Sequence, residues 1–420
     1  MPTPLPVPPK KKKSKRPKSK RGKPTGFEEY YVDTPITVDE HEFEQGLYHV
    51  SRPIVHRMEE ALLRFQKNRR IESDRLAVFL KYLIYGGIDV GPKMFAGVDD
   101  RDMKGMDKDE ILLARGQTSV NQDNSHLPID FNAVVKGYLT SYFPFFFNPE
   151  SEDMIKLATV TIRGFFSYLL YHNVFPEYTA NINEARTSCD IASKELWKNQ
   201  QLMANGPGDF NTACSTLFGG FNHNMYVEVN QWENPKDRII HMTKDMARKV
   251  VKFGLAVSGT NEFASWYHHM DESGSLKATM FEDIDGFEVM QVSFLDEEHR
   301  EFYQSHAPDL HPVGILRGRT YCDPGVPEYD LSPQEREDWA NGDRPMQDVA
   351  FFLEEDLLRH CYPGMKIITP VWSLNCGFHY FEDINKVYSS IYTVLANDLM
   401  IGWKKPRDLT ANDEDESDAD

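Results

Sequence analysis

A chain of 420 residues is long enough for one large or two ordinary domains, and its apolar content of 40% can fill a sizeable core. Its five scattered cysteines and the lack of an apolar leader favour a reduced intracellular compartment, so no disulfide framework is expected. The net charge of the whole chain is −18. A basic stretch at residues 10–23 contributes only positive charge, so the remaining body of the chain is more negative than this total. Direct nucleic-acid binding by the body is therefore disfavoured.

The first 25 residues are predicted to form a disordered basic tail, because they combine a Pro-rich start with a Lys/Arg/Ser-rich stretch that has no large apolar residue to bury. A basic cluster of this length is typical of a nuclear localisation signal. The alternative is a solubilising or weakly RNA-binding tail. The residues of the predicted signal are Lys10, Lys11, Lys12, Lys13, Lys15, Arg16, Lys18, Lys20 and Arg21.

Residues 51–87 carry the clearest helical pattern of the chain. Ser51 is the expected N-cap of a first helix, and Ser73 or Asp74 is the expected N-cap of a second helix that ends at Gly86-Gly87. The simplest interpretation is a helical hairpin with a solvated basic turn, and the alternative is a hairpin that docks a partner. The partner-binding candidates on its polar side and turn are Arg57, Arg64, Lys67, Arg69 and Arg70.

Further helical patterns make the first half helix-rich. One starts at Asp130 as N-cap and is expected to end at Pro144, and two more cover residues 153–172 and 178–203. The most membrane-like run is interrupted by charged residues, each of which costs about 2.5–3.5 kcal/mol at a bilayer centre. It is therefore predicted to be a core helix, and no membrane association is expected. Residues 99–127 are polar and are predicted to be a surface insertion.

The helical periodicity of the sequence becomes weaker after about residue 208. Apolar and aromatic runs bounded by turn residues predict strands at 225–229, 287–294, 314–322 and 365–374, while helices are predicted at 243–257, from Ser332, and at 349–360. The expected fold is α+β, with a mainly helical part at 26–208, a mixed strand and helix part at 209–406, and an acidic disordered tail at 407–420.

Several short sequence patterns look like parts of catalytic sites, and each is better explained by a structural role. Residues 217–220 (LFGG) lack the lysine and hydroxyl of a phosphate loop, and Ser215 has no flanking glycine of a nucleophile elbow. Cys361, Cys376 and His379 resemble half of a zinc module, although buried core cysteines are the favoured interpretation. No cofactor, metal or catalytic residue is predicted.

Seven segments of the sequence together resemble the Argonaute-binding subunit of the Argonaute siRNA chaperone (ARC) complex. The resemblance extends over nearly the whole chain apart from the two tails and the insertion. The seven segments are residues 26–31 (GFEEYY), 47–70 (LYHVSRPIVHRMEEALLRFQKNRR), 79–92 (FLKYLIYGGIDVGP), 130–144 (DFNAVVKGYLTSYFP), 168–197 (YLLYHNVFPEYTANINEARTSCDIASKELW), 208–220 (GDFNTACSTLFGG) and 397–406 (NDLMIGWKKP).

The resemblance implies a non-catalytic nuclear adaptor, with shuttling to the cytoplasm left open. Proteins of this kind bind Argonaute loaded with duplex siRNA together with a second chaperone subunit, restrain slicing and passenger-strand release, and support RNAi-directed heterochromatin assembly through H3K9 methylation. Association with the siRNA would be indirect. The alternatives from other classes are an uncharacterised metal-dependent enzyme and an RNA-binding protein that acts through the basic N-terminal tail.

Gly402 and Trp403 are the last partner-binding candidates. A glycine-tryptophan pair in a flexible segment resembles the hooks that Argonaute proteins capture in a tryptophan pocket. The alternative is a tryptophan that packs on the edge of the core, since large aromatic side chains usually serve packing.

Overall fold

The fold combines a helical first half with a second half built on a sheet, which confirms the predicted α+β class. The basic tail, the acidic tail and the predicted strand at 225–229 lie outside the described residues. The computed structural model describes residues 25–28, 37–69, 71–90, 118–120, 129–223, 242–323, 332–334 and 346–395.

The helices of the first half share one core, called here the helical unit, in which the rings of Phe65, Phe79 and Phe165 pack against one another at centroid distances of 5.2–5.4 Å. A short antiparallel pair, β1 (Ile88–Val90) and β2 (Thr118–Val120), lies beside it, so the described part of the predicted insertion is a strand. The helices are α1 (Val38–Leu47), α2 (Ile54–Asn68), α3 (Ser73–Tyr85), α4 (Phe131–Gly137), α5 (Phe143–Phe147), α6 (Glu152–Tyr171) and α7 (Thr179–Asn205).

The predicted hairpin is present as α2 and α3. The N-cap of α2 is Pro53 and not Ser51, whose hydroxyl lies 2.7 Å from Nδ1 of His49. The N-cap of α3 is Glu72 and not Ser73 or Asp74, which both lie within the helix. Helix α3 ends at Gly86 as predicted, and the next glycine takes a φ of +84° that side chains rarely adopt. Helix α1 was not predicted from the sequence, because its ten residues bury only Glu44 and therefore show no apolar stripe.

Pro144 does not end the helix that starts at Asp130. The Asp130 carboxylate accepts from the Ala133 N–H at 2.9 Å as predicted, and the chain then widens into a π turn at Tyr138–Tyr142 before α5. Proline has no N–H for the carbonyl four residues earlier, and its ring crowds that carbonyl. A π turn at this point lets the helical path continue to Phe147, with Pro144 in the first turn of α5.

The second half forms an eight-stranded sheet whose strand order is β10-β7-β4-β5-β6-β9-β8-β3. All neighbours pair antiparallel except β6 with β9. Its strands are β3 (Ala278–Met280), β4 (Gly286–Ser293), β5 (Val313–Tyr321), β6 (Asp348–Glu354), β7 (Lys366–Ile368), β8 (Val371–Leu374), β9 (His379–Phe381) and β10 (Lys386–Tyr388), and its helices are α8 (Asp209–Phe218), α9 (Lys244–Ser258), α10 (Asn261–Ser273), α11 (Glu297–His306) and α12 (Glu355–Leu358).

The helix predicted at 349–360 is wrong, because this segment begins as β6. Phe351 and Phe352 are both buried, one in each of the two cores that flank the sheet, as expected for a strand covered on both faces. Only α12 of the predicted span is helical. The strand predicted at 365–374 divides into β7 and β8 at Pro370, which has no N–H for a ladder.

Helix α7 connects the helical unit to the sheet. Its carboxylate Glu195 accepts hydrogen bonds from the N–H and the hydroxyl of Ser390 at 2.9 and 2.8 Å, and Leu202 belongs to the core on one face of the sheet. The division of the chain at about residue 208 stays a prediction. No helix within the described ranges is both long and apolar enough to span a bilayer.

Candidate partner-binding surface

Arg57 was expected on the polar side of α2, but the structure places it inside the helical unit with 1% of its surface exposed. Its guanidinium donates to the Val174 carbonyl at 3.0 Å, forms a forked ion pair with Glu177 and lies 5.1 Å from the ring centroid of Phe175. These bonds lower the pKa of Glu177. Arg57 therefore fastens α2 to the segment after α6, where a partner protein does not reach it.

Arg64 lies at the edge of the helical unit with 27% of its side chain exposed. Its Nη1 is 3.3 Å from Oε1 of Glu44, and its guanidinium covers the ring of Phe43 at 5.3 Å. The second oxygen of Glu44 lies 2.9 Å from Nδ1 of His172. Arg64 thus holds α1 against α2, and it remains partly accessible to a partner.

Arg69 is also buried, with 6% of its surface exposed. Its guanidinium lies 5.1 Å from the ring centroid of Phe65 and 5.7 Å from that of Tyr168. Gly26 approaches it so closely that a Cβ there would lie 2.8 Å from the Arg69 Cδ, and the φ of Gly26 is +91°. The close contact with Arg69 therefore explains why a glycine stands at position 26, the first residue of the segment GFEEYY.

The remaining partner-binding candidates are not placed by the structure. Lys67 belongs to α2, but its side chain is outside the described residues. Arg70, Gly402, Trp403 and the predicted localisation signal at 10–21 also lie outside the described residues.

The structure does not bring together Cys361, Cys376 and His379, the residues that resemble half of a zinc module. Cys361 and Cys376 belong to the cores on opposite faces of the sheet, and Nδ1 of His379 accepts from the Ala350 N–H at 3.2 Å. Burial raises the pKa of Cys361 to about 12 and that of Cys376 to about 11, so both thiols are protonated at neutral pH. Among the residues that the structure describes, no three His, Cys, Asp or Glu side chains are grouped to hold a metal.

Ser215 and the LFGG glycines contact the half-buried carboxylate of Glu382. The Ser215 hydroxyl donates to Oε1 of Glu382 at 2.8 Å, and the indole N–H of Trp372 donates to the other oxygen at 2.9 Å. Gly220 has a φ of +120°, and a Cβ there would lie 2.2 Å from the same Oε1. The two glycines therefore make the turn predicted from the sequence, and they make room for Glu382.

An exposed aromatic cluster on α5 was missed by the sequence analysis. Phe145 and Phe146 are 89% and 48% exposed, and the Phe146 ring is stacked on Tyr142 at a centroid distance of 5.3 Å. The Lys81 ammonium lies 4.4 Å from the Phe146 centroid. We call these four residues the α5 aromatic surface. The signal in the sequence was the run FPFFF at 143–147, which the expected helix end at Pro144 obscured.

The described residues thus define an α+β protein in which a long helix joins a helical unit to a sheet. The buried arginines and carboxylates join its own elements, and its exposed phenylalanines provide surfaces of the kind that proteins use to bind one another.

The characteristic sequence pattern of one protein family, the Argonaute siRNA chaperone (ARC) complex subunit Arb1, matches residues 15–406, and the chain belongs to this family. It is 28% identical over 204 residues to a protein named Argonaute-binding protein 1 from Schizosaccharomyces pombe. This similarity covers 48% of the chain and 50% of that protein, so the chain spans about half the length of this curated relative. No solved structure is significantly similar to the chain.

Proposed function

We propose that this protein is a non-catalytic adaptor that binds Argonaute loaded with duplex siRNA. The observation that carries the proposal is the family match over residues 15–406, together with the relative named Argonaute-binding protein 1. A second chaperone subunit would join the complex, and the duplex siRNA would be associated through Argonaute. In this role the protein restrains slicing and passenger-strand release and supports heterochromatin assembly through H3K9 methylation.

The electrostatics of the chain support this proposal. The net charge of −18 suits a basic protein surface better than free RNA, whose phosphates carry the same sign. The nine basic residues between Lys10 and Arg21 suit nuclear import. Buried positions of Ser215, Cys361 and Cys376 favour a structural role for the side chains that could otherwise be nucleophiles.

Tagged full-length protein should recover Argonaute from a low-salt lysate, and a preparation that recovers none would contradict the proposal. Reversing two charges of the basic turn, with Lys67→Glu and Arg70→Glu together, is expected to lower recovery about tenfold if this turn meets an acidic patch of the partner. Lys156→Glu is the matched control, because Lys156 is an exposed cation on α6 that forms an ion pair with Glu152 at 2.8 Å. Equal recovery by the double variant and the control would remove the turn from the interface.

Trp403→Ala is expected to lower Argonaute recovery about tenfold, since an aromatic anchor carries a large share of binding energy at an interface. The melting temperature should change little, because a captured hook does not belong to the buried core. Trp266→Ala provides the control, as Trp266 is 58% exposed on α10. A clear fall in the melting temperature of Trp403→Ala would instead assign Trp403 to the core.

A further inference from the structure

The α5 aromatic surface leaves two phenylalanine rings in contact with water. Phe145 is the most exposed large apolar side chain among the described residues, and the neighbouring Phe146 is half exposed. Burying a phenylalanine side chain is strongly favourable, so a segment that covers both rings gains free energy from it. The cation of this surface, Lys81, also favours a segment that carries an acidic group.

The described chain ends close to this surface. Ile391 and Leu395 return from the sheet and pack against the core of the helical unit. Leu395 contacts α4 at Gly137, where a Cβ would lie 3.1 Å from the Leu395 Cδ1. Gly137 precedes Phe145 by eight residues, which corresponds to about 12 Å along a helix, and about four extended residues cover that distance. Residues from about 399 onward therefore come within reach of the surface.

The sequence that follows Leu395 has the chemistry that this surface requires. Residues 396–403 (ANDLMIGW), called here the exit segment, contain Leu399, Met400, Ile401 and Trp403, and their only charged residue is Asp398. Four large apolar side chains match the exposed rings, and the one carboxylate matches Lys81. We propose that the exit segment binds the α5 aromatic surface of the same molecule.

This contact would regulate the binding of Argonaute to Trp403. The regulation rests on the proposed function: if Argonaute captures Trp403, binding of the exit segment to α5 and capture by Argonaute compete for the same residues. Weakening the intramolecular contact then increases the fraction of molecules that offer Trp403. The Phe145→Ser variant should accordingly recover more Argonaute than the unaltered protein.

Hydrogen–deuterium exchange of the purified full-length protein, without Argonaute, tests the contact directly. The amides of residues 396–403 should exchange at least about tenfold faster in Phe145→Ser than in the unaltered chain. Since Phe145 is 89% exposed, this substitution removes no packing from the described fold. Phe221→Ser is the matched control, because Phe221 is 61% exposed beyond the end of α8, and it should leave these exchange rates unchanged.

Equal exchange of residues 396–403 in the unaltered protein, Phe145→Ser and Phe221→Ser would overturn the proposal. Protection that disappears on dilution would also overturn it, because it would show that a second copy covers the surface. Faster exchange with unchanged Argonaute recovery would overturn the competition while leaving the contact established. Argonaute recovery that fails for every variant, including the unaltered protein, would count against the proposed function alone.

Discussion

Replacing Arg57 with alanine should lower the free energy of unfolding by about 3 kcal/mol, since it breaks an ion pair whose arginine is buried while Glu177 stays partly exposed, and it removes the packing of the guanidinium. The substitution removes the donors for Glu177 and the Val174 carbonyl, and it leaves a cavity beside Phe175. Urea unfolding of the purified protein measures the effect. Arg57→Lys should recover less than half of the loss, because an ammonium cannot make the forked contact.

The matched control is Lys249→Ala, which removes a surface ion pair with Asp309 in which both side chains are nearly half exposed. Its expected cost is about 0.5 kcal/mol. The comparison also decides between the two roles considered for Arg57. If Arg57 contacts a partner, Arg57→Ala lowers Argonaute recovery and costs no more stability than Lys249→Ala. The buried position predicts the opposite result.

Stability should fall as the pH rises from about 4.5 to about 7, because Glu354 is buried at the end of β6 with one carboxylate oxygen unpartnered. Its other oxygen accepts from the Phe210 N–H at 2.7 Å. Burial raises the pKa of Glu354 from its ordinary value of 4.5 to about 7. Between these two values the folded state binds the proton more tightly than the unfolded state, so ionisation costs stability, in total about 3 kcal/mol.

Glu354→Gln should remove this pH dependence, because the amide oxygen still accepts from Phe210 but the side chain does not ionise. The difference in unfolding free energy between pH 5 and pH 8 should shrink by about 2.5 kcal/mol. Urea unfolding at several pH values in this interval provides the measurement. An unchanged slope would show that Glu354 titrates normally in the folded protein.

The neighbouring Glu355 provides the control. Its carboxylate is bonded to the Arg300 guanidinium at 2.9–3.1 Å, so Glu355→Gln should lower stability at pH 8 by about 2 kcal/mol and leave the slope in place. Both variants retain the ion pair between Asp209 and His311, the charged groups next to Glu354, at 3.0 Å. Any titration of this pair therefore cancels in the comparison.

Helical periodicity predicted the α2–α3 hairpin, α6 and α7, because their apolar stripes recur along the local chain. The same reasoning misplaced Arg57, which follows Ile54 by three residues and precedes Ala61 by four and so lies on the apolar stripe by geometry. It was assigned to the polar side because of its charge. The counter-charge, Glu177, is partly exposed and lies 120 residues away in sequence, and no local pattern indicates it.

The sheet could be predicted only in part. Strands β4 and β5 were recognised from their composition, whereas β6 was taken for a helix because residues 349–360 also fit a helical spacing. Residues 348–354 form a strand because they pair with β5 and β9, which are distant in sequence. The α5 aromatic surface was missed for a local reason, the π turn that carries the helix past Pro144.

Helix α7 has 27 residues and is about 40 Å long, so it sets the distance between the two halves of the protein. A partner that contacts both the helical unit and the sheet meets surfaces at a fixed spacing, since no flexible linker intervenes along this helix. Inserting one residue in the middle of α7 would rotate the residues that follow it by about 100°, which takes Glu195 and Leu202 away from their partners in the second half.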